Sequence, residues 1–367
     1  VKQALKRTAL GSVDVIEEKQ LEIQAKRPRS STIIDVARRA GVSPMTVSRV
    51  INSTAPVRDE TREAVTAAIR ELSYTPNVAA RSLVTSRELR IGVIYSNPSA
   101  AFMSEFLTGV FEEASARAAQ LVLLKGTNGS PPSREAIQGL IASGVGGMIL
   151  APPLGESAMI RRVLQEAKLP TAVVGAVARD AISVRIDDRR AAYDMTRHLL
   201  ALGHRRLGFI IGNPDQSASA ARLSGFHSAV REAGDVQTQV VQGDFSYASG
   251  LVAGEHLLDA AIPPTAVFAS NDDMAAAVVS VAHRRHLDVP GDLTVAGFDD
   301  TTAAVTLWPP LTTIRQPVHV LAAEALQLLI QEMQGAGRSK TARRSRIYKH
   351  ILIERDSTAQ PSNFCQQ

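Results

Sequence analysis

Residues 31–52 read STIIDVARRAGVSPMTVSRVIN, and the turn in the middle of this stretch decides what the first part of the chain is. Ile33, Val36, Ala37 and Ala40 recur at helical spacing behind Thr32, a residue type suited to cap a helix. Gly41 ends that helix by taking a left-handed conformation without steric penalty. Ser43 caps a second helix. Pro44 then falls at its first position, where the missing N–H leaves no bond unmade and the fixed φ favours the helix. The proline is therefore a start signal. Val47, Val50 and Ile51 face inward, which leaves Pro44, Met45, Thr46, Ser48 and Arg49 outside or at the edge. A third helix is predicted over Asp59–Leu72, with Val65, Ala68, Ile69 and Leu72 on its apolar face. Two helices joined by a three-residue turn, with a third in support, make either an ordinary three-helix bundle or a helix-turn-helix unit. In the latter the second helix presents its N-terminal residues to the DNA major groove.

The charge is divided unevenly. Residues 1–90 carry 16 Lys+Arg against 10 Asp+Glu, a net of +6, and the remaining residues carry 25 against 26, a net of −1. The whole excess of +5 thus originates in the first quarter. That asymmetry fits a polyanion-binding module on a near-neutral body, or else a solvated basic face. A chain of 367 residues is long enough for two or three domains. No apolar run nears the roughly 18 residues of a membrane span, and the first 20 residues have no apolar core of a signal peptide. One cysteine, Cys365, excludes a disulfide framework and fits a reducing cytoplasm. Residues 1–30 are mixed in charge without apolar periodicity and are expected to be disordered.

After Arg87 short apolar runs alternate with amphipathic stretches of helix length. The runs are LRIGVIYS, QLVLLKG, GGMILA and PTAVVG, then LGFIIG, QVVQGD, TAVFAS and LTVAGFDD. This is the βαβ pattern of parallel sheets covered on both faces. Two groups, about 89–187 and 188–316, predict two similar halves with a cleft between them, at the carboxyl ends of the strands. No GxSxG elbow, P-loop or HExxH occurs, and GVGG before MIL lacks the rest of a dinucleotide fingerprint. The histidines are scattered, and His204 reads as structural. Asn271, Asp272 and Asp273, with Phe298, Asp299 and Asp300, read either as a metal or acid–base cluster or as carboxylates and amides for ligand hydroxyls. Each group follows a predicted strand, which favours the ligand reading.

Here a resemblance becomes specific. IIDVARRAGVSPMTVSRVIN (33–52) and REAVTAAIRELSYTPNVAARSL (62–83) resemble the DNA-binding head and hinge of the lactose/galactose repressor (LacI/GalR) family. The similarity runs on to about Thr358. It implies a small all-α helix-turn-helix headpiece with a hinge helix, joined to a two-subdomain α/β body with parallel sheets that looks like a periplasmic sugar-binding protein. The implied division is 31–76 for the headpiece, 77–88 for the hinge and linker, and 89–357 for the effector-binding and dimerisation body. Within the body, 89–187 plus 317–345 form one half and 188–316 plus 346–357 the other. Residues 358–367 are a tail without a leucine heptad, so a homodimer is expected rather than a tetramer. Residues 334–346 form a basic Gly/Ser-containing loop, read as solvated.

The resemblance further implies that each recognition helix enters a major groove while two hinge helices pair in the central minor groove. Leu83 stands where the family inserts a leucine between base steps, a wedge that unstacks the step. Asn77 opens the hinge after Pro76, and Ala79 and Ala80 permit close helix approach. One departure is chemical. Several family members carry a polar pair where this chain has Pro44 and Met45, and these two offer only apolar contact, for example to a thymine methyl. Arg49 is then the candidate for reading a guanine. Ser43, Thr46, Asn52 and Thr61 look like phosphate-positioning groups, and Thr32 and Ser48 complete the DNA-facing set.

For the effector, the resemblance points to Ser96, Phe102, Met103, Phe106, Arg222, Phe245, Asn271 and Asp299. A planar guanidinium fork, an amide and a carboxylate together suit adjacent hydroxyls. Phe245, with Trp308 as a second candidate, can cover an apolar sugar face, unless these rings serve core packing. Val174 stands where the lactose repressor has a further carboxylate, so a different ligand is expected. The expected function is a cytoplasmic transcriptional regulator, a repressor found on the nucleoid when bound, that joins double-stranded operator DNA to a small sugar-like effector and needs no cofactor or metal. A transport receptor sharing the body fold would need a signal peptide and no DNA-binding head. An enzyme acting on sugars or nucleotides would need catalytic groups.

Overall fold

The computed structural model describes residues 32–52, 57–72, 89–127, 130–335 and 345–362, with Asn52 described in its backbone only. The chain divides into two compact units, residues 1–87 and 88–367. In the first unit, α1 (Ile33–Ala40), α2 (Pro44–Asn52) and α3 (Asp59–Glu71) are the three helices read from the sequence, the last ending one residue earlier than expected. Thr32 and Asp35 form a reciprocal cap on α1. The Thr32 hydroxyl accepts the Asp35 N–H at 3.3 Å and the Asp35 carboxylate accepts the Thr32 N–H at 2.9 Å. Gly41 has φ +67°, and nothing lies within 4 Å of where a Cβ would sit, so backbone conformation and not crowding requires the glycine. Ser43 Oγ accepts the Thr46 N–H at 3.2 Å and so caps the helix that Pro44 begins. Val36, Ala37, Val47, Val65 and Ala68 close a small core flanked by Val50, Ile51, Ile69 and Leu72.

The second unit holds two parallel sheets. The first runs in the order β11-β5-β4-β3-β1-β2, from β1 (Arg90–Tyr95), β2 (Gln120–Lys125), β3 (Gly147–Leu150), β4 (Thr171–Val174), β5 (Ile182–Ile186) and β11 (Ser345–Tyr348). The second runs β7-β6-β8-β9, from β6 (Arg206–Ile211), β7 (Gln237–Gln242), β8 (Ala266–Ala269) and β9 (Thr294–Ala296). A short antiparallel ladder joins β10 (Thr313–Arg315) to β12 (Ile351–Ile353). The central strands β3 and β8 are buried along their whole length, as expected where helices cover both faces of a parallel sheet. The covering helices include α4 (Ala100–Ala116), α5 (Arg134–Ala142) and α6 (Ala158–Glu166) on the first half. They also include α7 (Asp188–Ala201), α8 (Ser217–Ala233), α9 (Tyr247–Leu258) and α10 (Asp272–Arg284) on the second. After the one-turn α11 (Thr302–Thr306), α12 (Val318–Met333) returns to pack on β3, β4 and β5.

The chain therefore passes between the halves three times: after β5, after β10 and after β11. The sequence division placed 346–357 in the second half. The strand Ser345–Tyr348 instead pairs in parallel with Ile182–Ile186, at the edge of the first sheet, so the crossing comes after Tyr348. Both strands are short, and five- and four-residue runs interrupted by Arg185 and Arg346 lack a distinct period from which their bounds could be read.

Candidate functional site

A polar cleft of the body lies where the carboxyl ends of both sheets face each other. Asn97 and Ser99 follow β1, and Pro152 and Glu156 follow β3. Gly175 follows β4 and Asp188 follows β5. From the second half come Gln216 and Arg222 beyond β6, Phe245 beyond β7, Asn271 beyond β8 and Asp299 beyond β9. Ends of parallel strands converge because every crossover returns the chain to the same edge, which is why ligands collect there. The cleft is narrow and open to solvent, with about 650 Å³ of space when its open mouth is included.

Arg222 is the centre of the site. It sits on α8 one turn before Phe226, whose ring is locked in the core against Phe209 at 4.8 Å between centroids. That packing fixes the helix and aims Arg222 at the cleft. Its Nε and Nη2 reach the Asp188 carboxylate at 2.9 and 2.8 Å, its Nη1 donates to the Ser270 carbonyl, and the guanidinium lies 3.6 Å over the Phe298 ring. Asp299 stands 3.9 Å from Nη1 and accepts from Gln316 Nε2 at 2.6 Å. Burial pushes the Asp188 and Asp299 carboxyls above the usual range, and Arg222 opposes that push in both. One guanidinium thus faces two carboxylates, those of Asp188 and Asp299, and Glu156 lines the same cleft.

The backbone presents these groups under strain. Asp299 has φ +113° and Asp300 φ +59°. Two arginines hold the turn, with Asp300 accepting from Arg315 at 2.5 Å and from Arg355 at 2.6 Å. Asp272, wholly buried, accepts from Thr301 N–H at 2.7 Å and from the Thr313 hydroxyl at 2.7 Å. Burial raises its pKa to about 7. It fastens the loop that carries Asp299 and does not line the cleft. Among the described residues no group of three His, Cys, Asp or Glu side chains could hold a metal ion.

Of the residues expected at the effector site, Phe102, Arg222, Phe245, Asn271 and Asp299 meet in the cleft. Met103 and Phe106 do not line it. They are buried in the core of the first half, while the neighbouring Phe102 lines the opening. Ser96 is also off the cleft wall, buried with its hydroxyl unpartnered beside Gly126. Trp308 is 78% exposed and lies outside the lining. Asn271 is less available than its chemistry suggested. It caps α10, its Oδ1 accepting Met274 N–H at 3.0 Å, while its Nδ2 donates to the Phe245 carbonyl at 2.8 Å. One N–H and one lone pair remain for a ligand. That bond also holds Phe245 at φ +73°, its ring so close to Gly212 that a Cβ there would lie 1.9 Å from the ring.

Asp188, Gln216, Gln316 and Glu156 were not singled out from sequence. Gln216 is buried, lines the cleft and has no partner for its Nε2, a donor left for whatever enters. Glu156 crosses the cleft to the start of α8, where its carboxylate accepts the Ser217 N–H at 2.9 and 3.0 Å and the Ser217 hydroxyl at 3.0 Å. Gln216, at the cap position, makes no capping bond of its own. A carboxylate from the other half therefore satisfies the helix terminus. Only an acidic residue following a strand end could have pointed to Glu156, and such residues are common.

In the first unit Ser43, Pro44, Met45 and Arg49 are exposed on one edge of α2, with Thr46 and Ser48 half-buried beside them. Met45 is 65% exposed, unusual for a methionine. Thr61 is half-buried in the first turn of α3. The Thr32 hydroxyl is exposed and takes part in the cap of α1, donating to Asp35 at 2.6 Å. Asn77, Ala80 and Leu83 lie outside the described residues, as does the Asn52 side chain.

Comparison with known proteins places both units. Residues 32–77 match the model of bacterial regulatory proteins of the lacI family, and residues 196–358 match that of a periplasmic binding protein-like domain. The transcriptional regulator DegA of Bacillus subtilis is 34% identical over 329 residues, covering 88% of this chain and 95% of DegA. The structure of the lac repressor dimer bound to operator and the anti-inducer ONPF superposes with a TM-score of 0.73 at 29% identity, covering 90% of this chain and all of that one. A complex of the transcriptional regulator CelR with cellobiose gives a TM-score of 0.64 at 31% identity with the same coverage.

Proposed function

This chain belongs to the lacI family of bacterial regulatory proteins, and from that premise we propose that it is a sequence-specific transcriptional repressor whose operator affinity is set by a small sugar-like effector in the body cleft. It is a DNA-binding regulator and not an enzyme. The observation that carries the effector reading is the buried Arg222 between Asp188 and Asp299, in a cleft built by two halves of one chain that also carries a helix-turn-helix. Carboxylates and amides around a single guanidinium accept and donate to adjacent hydroxyls. CelR, which has the same fold, was solved with cellobiose, which supports a hydroxyl-rich ligand here. No helix among the described residues is long and apolar enough to cross a membrane.

The working form is a homodimer in the cytoplasm on double-stranded operator DNA, with two recognition helices in successive major grooves. Leu83 is the minor-groove wedge. Leu83→Ala should weaken specific binding and reduce the DNA bend, with ligand binding unchanged. Bend angle read by permuted-fragment gel mobility checks this, and an undiminished bend would show that Leu83 is not inserted. Arg49→Ala should cost about 1–3 kcal/mol on the selected site and relax base choice at one position in each half-site. Equal losses on selected and random DNA would make Arg49 a phosphate contact.

The function as a whole is tested by selecting DNA sites from a random pool with the full chain, then repeating the binding with a panel of sugars. Coupling is reciprocal, so a true effector changes operator affinity by the factor by which operator changes effector affinity, ordinarily about 5- to 150-fold. A chain that selects no sequence, or a sugar that binds tightly and leaves operator affinity unchanged, would overturn the corresponding half of the proposal.

A further inference from the structure

We propose that Glu156 determines the specificity of the cleft by filling its anion position from within, so that the effector is an uncharged hydroxyl-rich molecule and sugar phosphates and sugar acids are shut out. This deepens the effector reading above and rests on it. The position is the amino end of α8, a helix of 17 residues, where unpaired N–H groups and the helix dipole favour negative charge. Glu156 closes the single 3-10 turn Leu154–Glu156 that follows β3. That turn is pressed onto β4, since a Cβ on Gly155 would collide with the Val173 side chain. From this fixed point the carboxylate crosses the cleft. Both of its oxygens accept the Ser217 N–H, and one also accepts the Ser217 hydroxyl. These are charge-assisted bonds. They are made by a group tethered beside the helix, so a free anion has to compete with an intramolecular partner.

The rest of the cleft offers an anion little. Among the described residues that line it, Arg222 is the one cation, and its Nε, Nη1 and Nη2 are already turned to Asp188 and to the Ser270 carbonyl. Asp188 and Asp299 stand beside that guanidinium. A phosphate or carboxylate entering here therefore meets like charge where water screens it less than in bulk. A neutral hydroxyl meets no such opposition. It donates to the carboxylates and accepts from Gln216 Nε2. Gln216 is 6% exposed, lines the cleft next to Ser217, and its Nε2 has no partner. An amide donor left open beside a filled anion position suits a ligand that brings oxygen without charge.

The test has two arms. In the first, inorganic phosphate is titrated calorimetrically into the full chain, Glu156→Ala and Glu156→Gln. Glu156→Ala should bind phosphate about 10- to 100-fold more tightly than the wild type, the weight of one like charge removed at short range. Glu156→Gln loses the charge but keeps an acceptor on the Ser217 N–H, so its gain should be smaller; it also serves if the alanine variant folds poorly. Adding Gln216→Leu to either variant should reduce the gain, which fixes its place at α8. In the second arm, operator affinity of the full chain is measured with cellobiose, galactose, glucose and ribose, and with glucose 6-phosphate, ribose 5-phosphate and glucuronate. Only uncharged members should change it. If a sugar phosphate or sugar acid acts on the wild type, or if neither Glu156 variant gains affinity for phosphate, the inference is overturned while the effector reading stands. If no member of the panel changes operator affinity, the effector reading itself has failed, and the phosphate arm still decides whether Glu156 holds the anion position.

Discussion

Replacing Arg222 by alanine is expected to abolish the effector response and to destabilise the body by about 3–5 kcal/mol, the cost of breaking a buried ion pair from one side. The guanidinium is 5% exposed, makes two contacts to Asp188 at 2.8–2.9 Å and lies 3.9 Å from Asp299. Its removal leaves two buried carboxylates with no cation between them. The loss should depend on pH in a defined direction. Both carboxyls already sit above their ordinary 3.8 because of burial, and Arg222 is the group that restrains them. Without it their folded-state values climb further. A carboxyl with a raised folded-state pKa favours the fold while protonated and loses that advantage as pH rises through the raised value. The deficit of Arg222→Ala relative to the wild type should therefore be smallest near pH 4–5 and grow toward pH 8. Denaturant unfolding at several pH values measures it, and a deficit that shrinks with rising pH would contradict the assignment.

A second variant separates recognition from stability. Arg222→Met with Asp188→Asn removes the charge pair and keeps much of the volume, which in buried ion pairs often restores the lost stability. Operator binding should be intact, as in Arg222→Ala, while the effector response stays absent. A double variant that responds fully to effector would show that this cluster holds the body together and does not read the ligand.

The boundary between what was legible in the sequence and what was not follows the range of the interactions. The headpiece was legible because its signals are local. Gly41, Ser43 and Pro44 each impose a backbone state within one turn, and the structure keeps all three. Strands such as Ile91–Ile94 and Ala266–Ala269 were legible because burial on both faces leaves an unbroken apolar run. Strand Ser345–Tyr348 was not. Its place beside Ile182–Ile186 depends on a partner more than 150 residues away, and at the sheet edge it carries arginine and exposed Ile347. The cleft shows the same division. Arg222, Asn271 and Asp299 follow strand ends and carry distinctive chemistry, so the family pattern pointed to them. Asp188 and Glu156 acquire meaning only when the two sheets face each other, one pairing with Arg222 and the other capping a helix from the opposite half. Met103 and Phe106 sit in the core beside Phe102, because sequence position alone does not say which face of α4 meets the cleft.

Affinity for the selected site should fall by about 10³–10⁵ between 50 and 200 mM salt if a dimer neutralises on the order of 6–10 phosphates. The excess of +6 over residues 1–90 motivates this, but the charge is not where the helices are. Residues 32–72 contain six arginines against five acidic residues, a net of +1. Two of those arginines are tied up inside the unit, Arg39 with Glu71 at 2.6 Å and Arg38 with Asp35 at 3.5 Å. Ser43, Thr46 and Thr61 carry no charge, so phosphate contacts through them would release no counterions. Arg49, Arg58, Arg62 and Arg70 leave four cations per chain for phosphates, and basic residues outside the three helices add to them. Residues 1–30 hold seven basic and four acidic side chains, a net of +3, and residues 73–90 hold three and one, a net of +2. Deleting residues 1–30 should flatten the plot of log affinity against log salt by about one to three phosphates per chain, each contributing about 0.9 to the slope. Base preference within the site should stay the same, because Met45 and Arg49 remain. Filter binding or fluorescence anisotropy across a salt series gives both slopes. A flat response in the full chain would remove the electrostatic argument for DNA binding, and an unchanged slope after the deletion would return the phosphate contacts to the helices and the segment that follows them.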